Sequence, residues 1–126
     1  MDTEKFLAAY NASRNGCNER YRHPLVSKFV YSDGVMECAG AGCYWLLDII
    51  ATEVMDVFKK NAVSLGFIGF VRVDVADSKA TIFLDRDENE PIWSRAVDYT
   101  DMPDGRYTFM LTDEGDHCFL ILMSEY

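Results

Sequence analysis

Apolar residues in this 126-residue chain recur with a helical period as far as residue 61 and with a period of two from residue 70. Between Cys43 and Asn61, Leu46, Leu47, Ile50, Val54, Val57 and Phe58 share one helical face, while Asp48, Thr52, Glu53, Asp56, Lys59 and Lys60 share the other. Lys59 and Lys60 fall in the last turn, where they complement the helix dipole, and Asn61 can end it. Then "FVRVDVA" sets Val71, Val73 and Val75 on one side and Arg72 and Asp74 on the other. Residues 80–85, 91–99 and 106–112 also read as strands, and 117–124 is apolar on both faces, as a doubly covered strand would be. The joints "DSK", "RDENE", "TDMPDG" and "DEGD" have the composition and length of hairpin turns.

Helices followed by strands predict an α+β fold, with one long helix covering a face of a roughly five-stranded antiparallel meander. At 126 residues the chain is expected to be a single domain, 1–126. Residues 2–12 read as a first helix capped by Asp2 or Thr3, with Phe6, Leu7 and Tyr10 on one face. Residues 21–32 fit a helical turn or a strand, and "SDG" at 32–34 fits a turn or a helix cap. The acidic amino end does not resemble a signal peptide, and no apolar run reaches the ~20 residues of a bilayer span. A cytoplasmic location and no membrane partner are expected. Free thiols follow for Cys17, Cys38, Cys43 and Cys118.

The net charge of −9 is unevenly spread: residues 1–73 balance 8 acids with 8 Lys and Arg, whereas residues 74–126 hold 13 acids against 4. Direct nucleic-acid binding is disfavoured, because phosphate contact needs a basic surface. A basic protein that itself handles nucleic acid is an expected class of partner. In a meander, alternate turns share an end. That would gather Asp85, Asp87, Glu88, Glu90, Asp113, Glu114 and Asp116 into one partner-binding surface.

Chemical motifs are weak. In "ECAGAGCYWLLDIIA" the third glycine of a dinucleotide fingerprint is missing, and no phosphate-loop lysine follows. The glycines read instead as a tight turn into the long helix. Cys17, His23, Cys38 and Cys43 lack the close pairs of zinc sites, and the acidic turn 85–90 lacks the glycine of a calcium loop. No metal, no cofactor and no catalytic residue is expected, and an enzyme is the less favoured reading. The alternative site is a pocket formed by Tyr21, Arg22, His23, Tyr31, Asp33, Tyr44 and Trp45, in which His23 would face solvent. An Arg22–Asp33 ion pair is the simpler reading of part of that cluster. A third reading is a homodimer built on a sheet face where Trp93, Val97 and Tyr99 alternate with Ser94 and Ala96.

Three stretches, Tyr21-Arg22-His23, Tyr31-Ser32-Asp33-Gly34-Val35 and Gly42-Cys43-Tyr44-Trp45-Leu46-Leu47-Asp48, resemble the family known as domain of unknown function 6876, as does the ending Ser124-Glu125-Tyr126. Cys43 stands where that family has alanine. The resemblance supplies no catalytic residues. It implies a small accessory protein of bacterial genomes, phages and plasmids. In that setting an inhibitor of host defence, such as an anti-CRISPR protein, is the concrete form of an acidic binding protein.

Overall fold

The computed structural model describes residues 1–126 as helices packed on one face of a seven-stranded mixed sheet. In chain order the elements are α1 (Thr3–Asn11), β1 (Arg20–Arg22), β2 (Phe29–Ser32), α2 (Asp33–Gly40), α3 (Tyr44–Ile49), a π-helical turn (Ile50–Val54), α4 (Met55–Lys60), β3 (Ile68–Ala76), β4 (Lys79–Asp85), β5 (Pro91–Val97), β6 (Gly105–Asp113), β7 (Cys118–Leu122) and a 3₁₀ turn (Met123–Glu125). The sheet order is β1-β2-β7-β6-β3-β4-β5, with β2 and β7 parallel and every other pair antiparallel. No helix is long and apolar enough to cross a membrane.

The α+β class stands; the five-stranded antiparallel meander does not. Residues 21–32 supply two further strands. All four residues of β2 are buried, so no alternation marks it in the sequence. Strands β3 to β6 form a Greek key rather than a meander, because β6 returns to lie beside β3 on the side away from β4. The joint at 100–105, expected as a hairpin turn, therefore belongs to a crossover over 98–104, anchored by the buried Thr100 and Met102.

The long helix begins and ends where its pattern places it, with Cys43 and Asn61 flanking it, but it is not one uniform α-helix. Through Ile50–Val54 the backbone adopts the wider π spacing, and the Met55 N–H reaches back to the Ile50 carbonyl. There the Thr52 hydroxyl donates to the Asp48 carbonyl at 2.7 Å. Ile50, Val54 and Phe58 stay fully buried through the change. They meet Val71, Val73, Ile82, Leu84, Phe109, Leu111 and Leu120 from the sheet in one core. Helix α1 docks through Phe6 and Tyr10, whose rings meet Tyr107 edge-on at 5.0 and 5.1 Å. The Tyr10 hydroxyl also accepts the Thr108 N–H, at 2.8 Å, beyond the reach of β7.

The opposite face of the sheet carries no helix. Val30, Met110, Phe119 and Ile121 form a small second cluster there, with the Arg20 guanidinium 3.9 Å above the Phe119 ring. Beside it Arg72 stacks at 3.9 Å on Phe83 and holds Asp85 through two contacts of 2.7 and 3.3 Å. Asp74 bridges Arg72 and Arg106 at 2.6 and 2.9 Å.

Candidate functional site

The register places both acidic turns at one end of the sheet, because Phe70 stands opposite both Asp85 and Met110, and Ile68 opposite Thr112. Their centres are separated by three strand spacings, roughly 14 Å. Their acids differ in state. Asp113 is held by Lys59 at 3.0 Å and by the Gly115 N–H at 2.9 Å. Burial pushes its carboxyl up, but the Gly115 amide and the Lys59 ammonium outweigh this and hold it below the usual range. Glu114 pairs with Arg20 at 2.8 Å, and His117 bridges Glu114 and Asp116 at 2.7 and 2.6 Å. The hydrogen bond from His117 holds the Asp116 carboxyl below its usual range. Asp85 is buried against Arg72. Only Asp87, Glu88 and Glu90 of the seven are exposed without an ion-pair partner.

The turn that carries these three folds over the bare sheet face. Arg106, two strands away on β6, donates to the Asn89 side chain at 2.9 Å. A cleft of about 380 Å³ lies beneath, with Phe70, Thr108 and Met123 among its lining residues and Asp87, Glu88, Asn89 and Arg106 closing it.

Between the two acidic turns runs the 61–67 connection into β3, which no regular period or motif marks in the sequence. It exposes Val63 (82%) and Phe67 (49%), and Ile68 (36%) at the start of β3 continues the apolar surface. Phe67 has φ of +64°, directly after Gly66 at +68°. A bulky residue in the left-handed region costs on the order of 1–3 kcal/mol, so surrounding structure must impose it. Two backbone bonds do so: Phe67 N–H to the Ala62 carbonyl at 2.8 Å, and Asp113 N–H to the Phe67 carbonyl at 2.9 Å. An exposed apolar loop thus stands between a neutralised acidic turn and a free one. The signal available in the sequence was "VSLGFIGF", where five apolar residues accompany two glycines outside any regular period.

The alternative pocket residues are brought together as supports of the fold. His23 is 5% exposed; its Nδ1 accepts the Leu25 and Val26 amides, both at 3.1 Å, so Nε2 carries the proton donated to Asp48 at 2.8 Å. A solvent-facing imidazole is therefore not what this loop contains. Tyr21 and Tyr31 stack 6.1 Å apart, Arg22 donates to the Ser27 carbonyl, and Asp33 accepts the Asn18 N–H at 3.3 Å. No Arg22–Asp33 pair forms, because each has a backbone partner on its own side. Tyr44 is half-exposed and donates to the Met36 sulfur at 3.5 Å, while Trp45 lies against the core.

The C-terminal turn completes this assembly. Glu125, 5% exposed, accepts from the Ser32 hydroxyl, from the Gly34 N–H at 3.2 Å and from the Leu122 N–H at 2.9 Å. A Cβ on Gly34 would lie 2.7 Å from that carboxylate. Glycine at 34 and glutamate at 125 are one structural choice.

Trp93 and Val97 alternate with Ser94 and Ala96 as expected, but they pack toward the helix side, against the core. Tyr99 projects 72% exposed beyond the strand. No group of three His, Cys, Asp or Glu side chains converges to hold a metal ion.

Fold and surface together define a two-layer α+β domain whose motif residues brace one another. The chain matches the Family of unknown function (DUF6876) over residues 4–126 and belongs to it. Comparison with curated proteins and with solved structures gave no match.

Proposed function

We propose that this chain is a non-enzymatic binding protein that docks a basic protein partner at the β3 end of its sheet. The observation that carries the reading is Phe67, half-exposed in the left-handed conformation between the two acidic turns. Val63, Phe67 and Ile68 supply an apolar centre, and Asp87, Glu88 and Glu90 supply an unneutralised rim. Protein interfaces commonly pair such a centre with a polar margin. Backbone strain held at an exposed aromatic is of the kind that function retains. The phage and plasmid setting implied by the resemblance makes a finer version concrete. An inhibitor of host defence, such as an anti-CRISPR protein, would set the acidic rim against a basic groove built for nucleic acid.

The test is affinity capture from a bacterial lysate at low salt, followed by a high-salt wash. The expected result is a basic protein released by salt and lost with the variant Asp87→Lys/Glu88→Lys/Glu90→Lys, and lost again with Phe67→Gly. Undiminished capture by both folded variants would overturn the reading.

A further inference from the structure

The two edges of the sheet are not alike. One is β1, three residues long with Arg20 and Arg22 on it; the other is β5, seven residues long and largely exposed. The hydrogen-bonding direction along β5 follows from the β3–β4 hairpin. Asp77 and Ser78 both have positive φ, at +54° and +63°, the signature of a two-residue primed turn. Such a turn closes on a hydrogen-bonded pair, here Ala76 and Lys79. Alternation along β4 then directs the backbone groups of Ala80, Ile82 and Leu84 toward β5, where they meet Val97, Arg95 and Trp93. The amides and carbonyls of Ser94 and Ala96 consequently point outward, with no strand beside them.

Acids bracket this edge. Glu90 precedes Pro91, and Asp98 follows Val97; neither has an ion-pair partner. Arg95, the one cation on the strand, turns to the helix side and pairs with Glu53. A second copy paired along the whole strand is a poor occupant. In the antiparallel register centred on Ser94, which pairs all seven residues, Glu90 of each copy would meet Asp98 of the other. Like charges directly opposite one another oppose strand pairing.

We infer that β5 is a docking edge for an extended basic segment of a partner protein, which adds to the sheet as an eighth strand. Backbone bonds to Ser94 and Ala96 hold the segment, and Lys or Arg residues eight positions apart, spanning roughly 26 Å, meet Glu90 and Asp98. The inference rests on the proposed function only for the basic character of the partner.

The probe is a nine-residue peptide of alternating threonine and valine with lysine at each end; the same peptide ending in glutamate is its control. Fluorescence anisotropy should show binding of the lysine peptide alone, and amide hydrogen exchange should slow at Ser94 and Ala96 at least tenfold. N-methylation of the peptide amides that face β5 should abolish binding, whereas methylation of the outward ones should not; this arm leaves the protein unaltered. Ser94→Pro, which removes one outward N–H, should weaken binding at least tenfold while Asp87→Lys/Glu88→Lys leaves it within twofold. No binding of the lysine peptide, or equal binding after either methylation, overturns the strand addition. Loss with Asp87→Lys/Glu88→Lys but not with Ser94→Pro overturns it too, while leaving the sheet-end reading in place.

Discussion

Glu125 shows how much one side chain can decide in a chain of this size. Its carboxylate takes three donors inside the protein, two of them at the start of α2, where the helix dipole favours negative charge. Removing it leaves those donors without an acceptor in a buried place, so Glu125→Ala should lower unfolding stability by about 2–3 kcal/mol in urea titration. Asp85 and Asp87 look alike in sequence and differ in kind. Asp85→Ala leaves the buried Arg72 with Asp74 as its one ion-pair partner and should cost about 2 kcal/mol; Asp87→Ala should stay within about 0.5 kcal/mol. Two equal values from denaturant melts would remove the distinction between a structural acid and a free one. The cysteines divide similarly. Burial pushes the Cys38 and Cys43 thiols up to about 12 and the Cys118 thiol up to about 11. Cys17 alone is partly exposed, so a thiol reagent at neutral pH should titrate one cysteine in the native protein and four after unfolding.

At the scale of elements, the sequence was legible wherever an element has one wet face. Helix α1, the long helix and strands β3 to β6 all alternate between core and solvent, and their positions could be read from period alone. Strand β2 and helix α2 could not. Every residue of β2 is buried, and α2 is an eight-residue helix whose start is fixed by Ser32, its N-cap, together with Glu125 from the far end of the chain. Gly34→Ala should therefore destabilise, by about 1–3 kcal/mol, because the added methyl collides with a carboxylate that has nowhere to move. Conversely, Phe67→Gly should change stability by less than about 1 kcal/mol, since release of the left-handed backbone offsets the lost half-buried ring. A large loss in the melt would mean that Phe67 is a core anchor rather than a surface held ready for contact.

For the whole molecule, the candidate site depends on topology. The turns at 85–90 and 113–116 do share an end, but the Greek-key order inserts β3 and its exposed loop between them and leaves one turn neutralised. Acid stability reports on the neutralised side. The Asp113 carboxyl sits below its unfolded value, so its contribution is present above that value, about 3.9, and is lost as pH falls through the lower folded one. Asp113→Asn should lower the Tm by a few degrees at pH 7 and by much less at pH 3; an equal drop at both would show that the carboxylate charge contributes nothing.

The α+β class, the limits of the long helix, five of the strands and the surplus of acid in the second part of the chain are all legible in the sequence alone. Each of these is local, written in the alternation of apolar and polar residues along a single element. The strand order, the parallel pairing of β2 with β7, the pairing of Glu125 with Gly34 and the identity of the free acids emerge only from long-range contacts. Those outcomes rest on contacts between residues up to 94 positions apart. A period carries no information about such a partner, because any buried strand or any compatible charge satisfies the local pattern equally well.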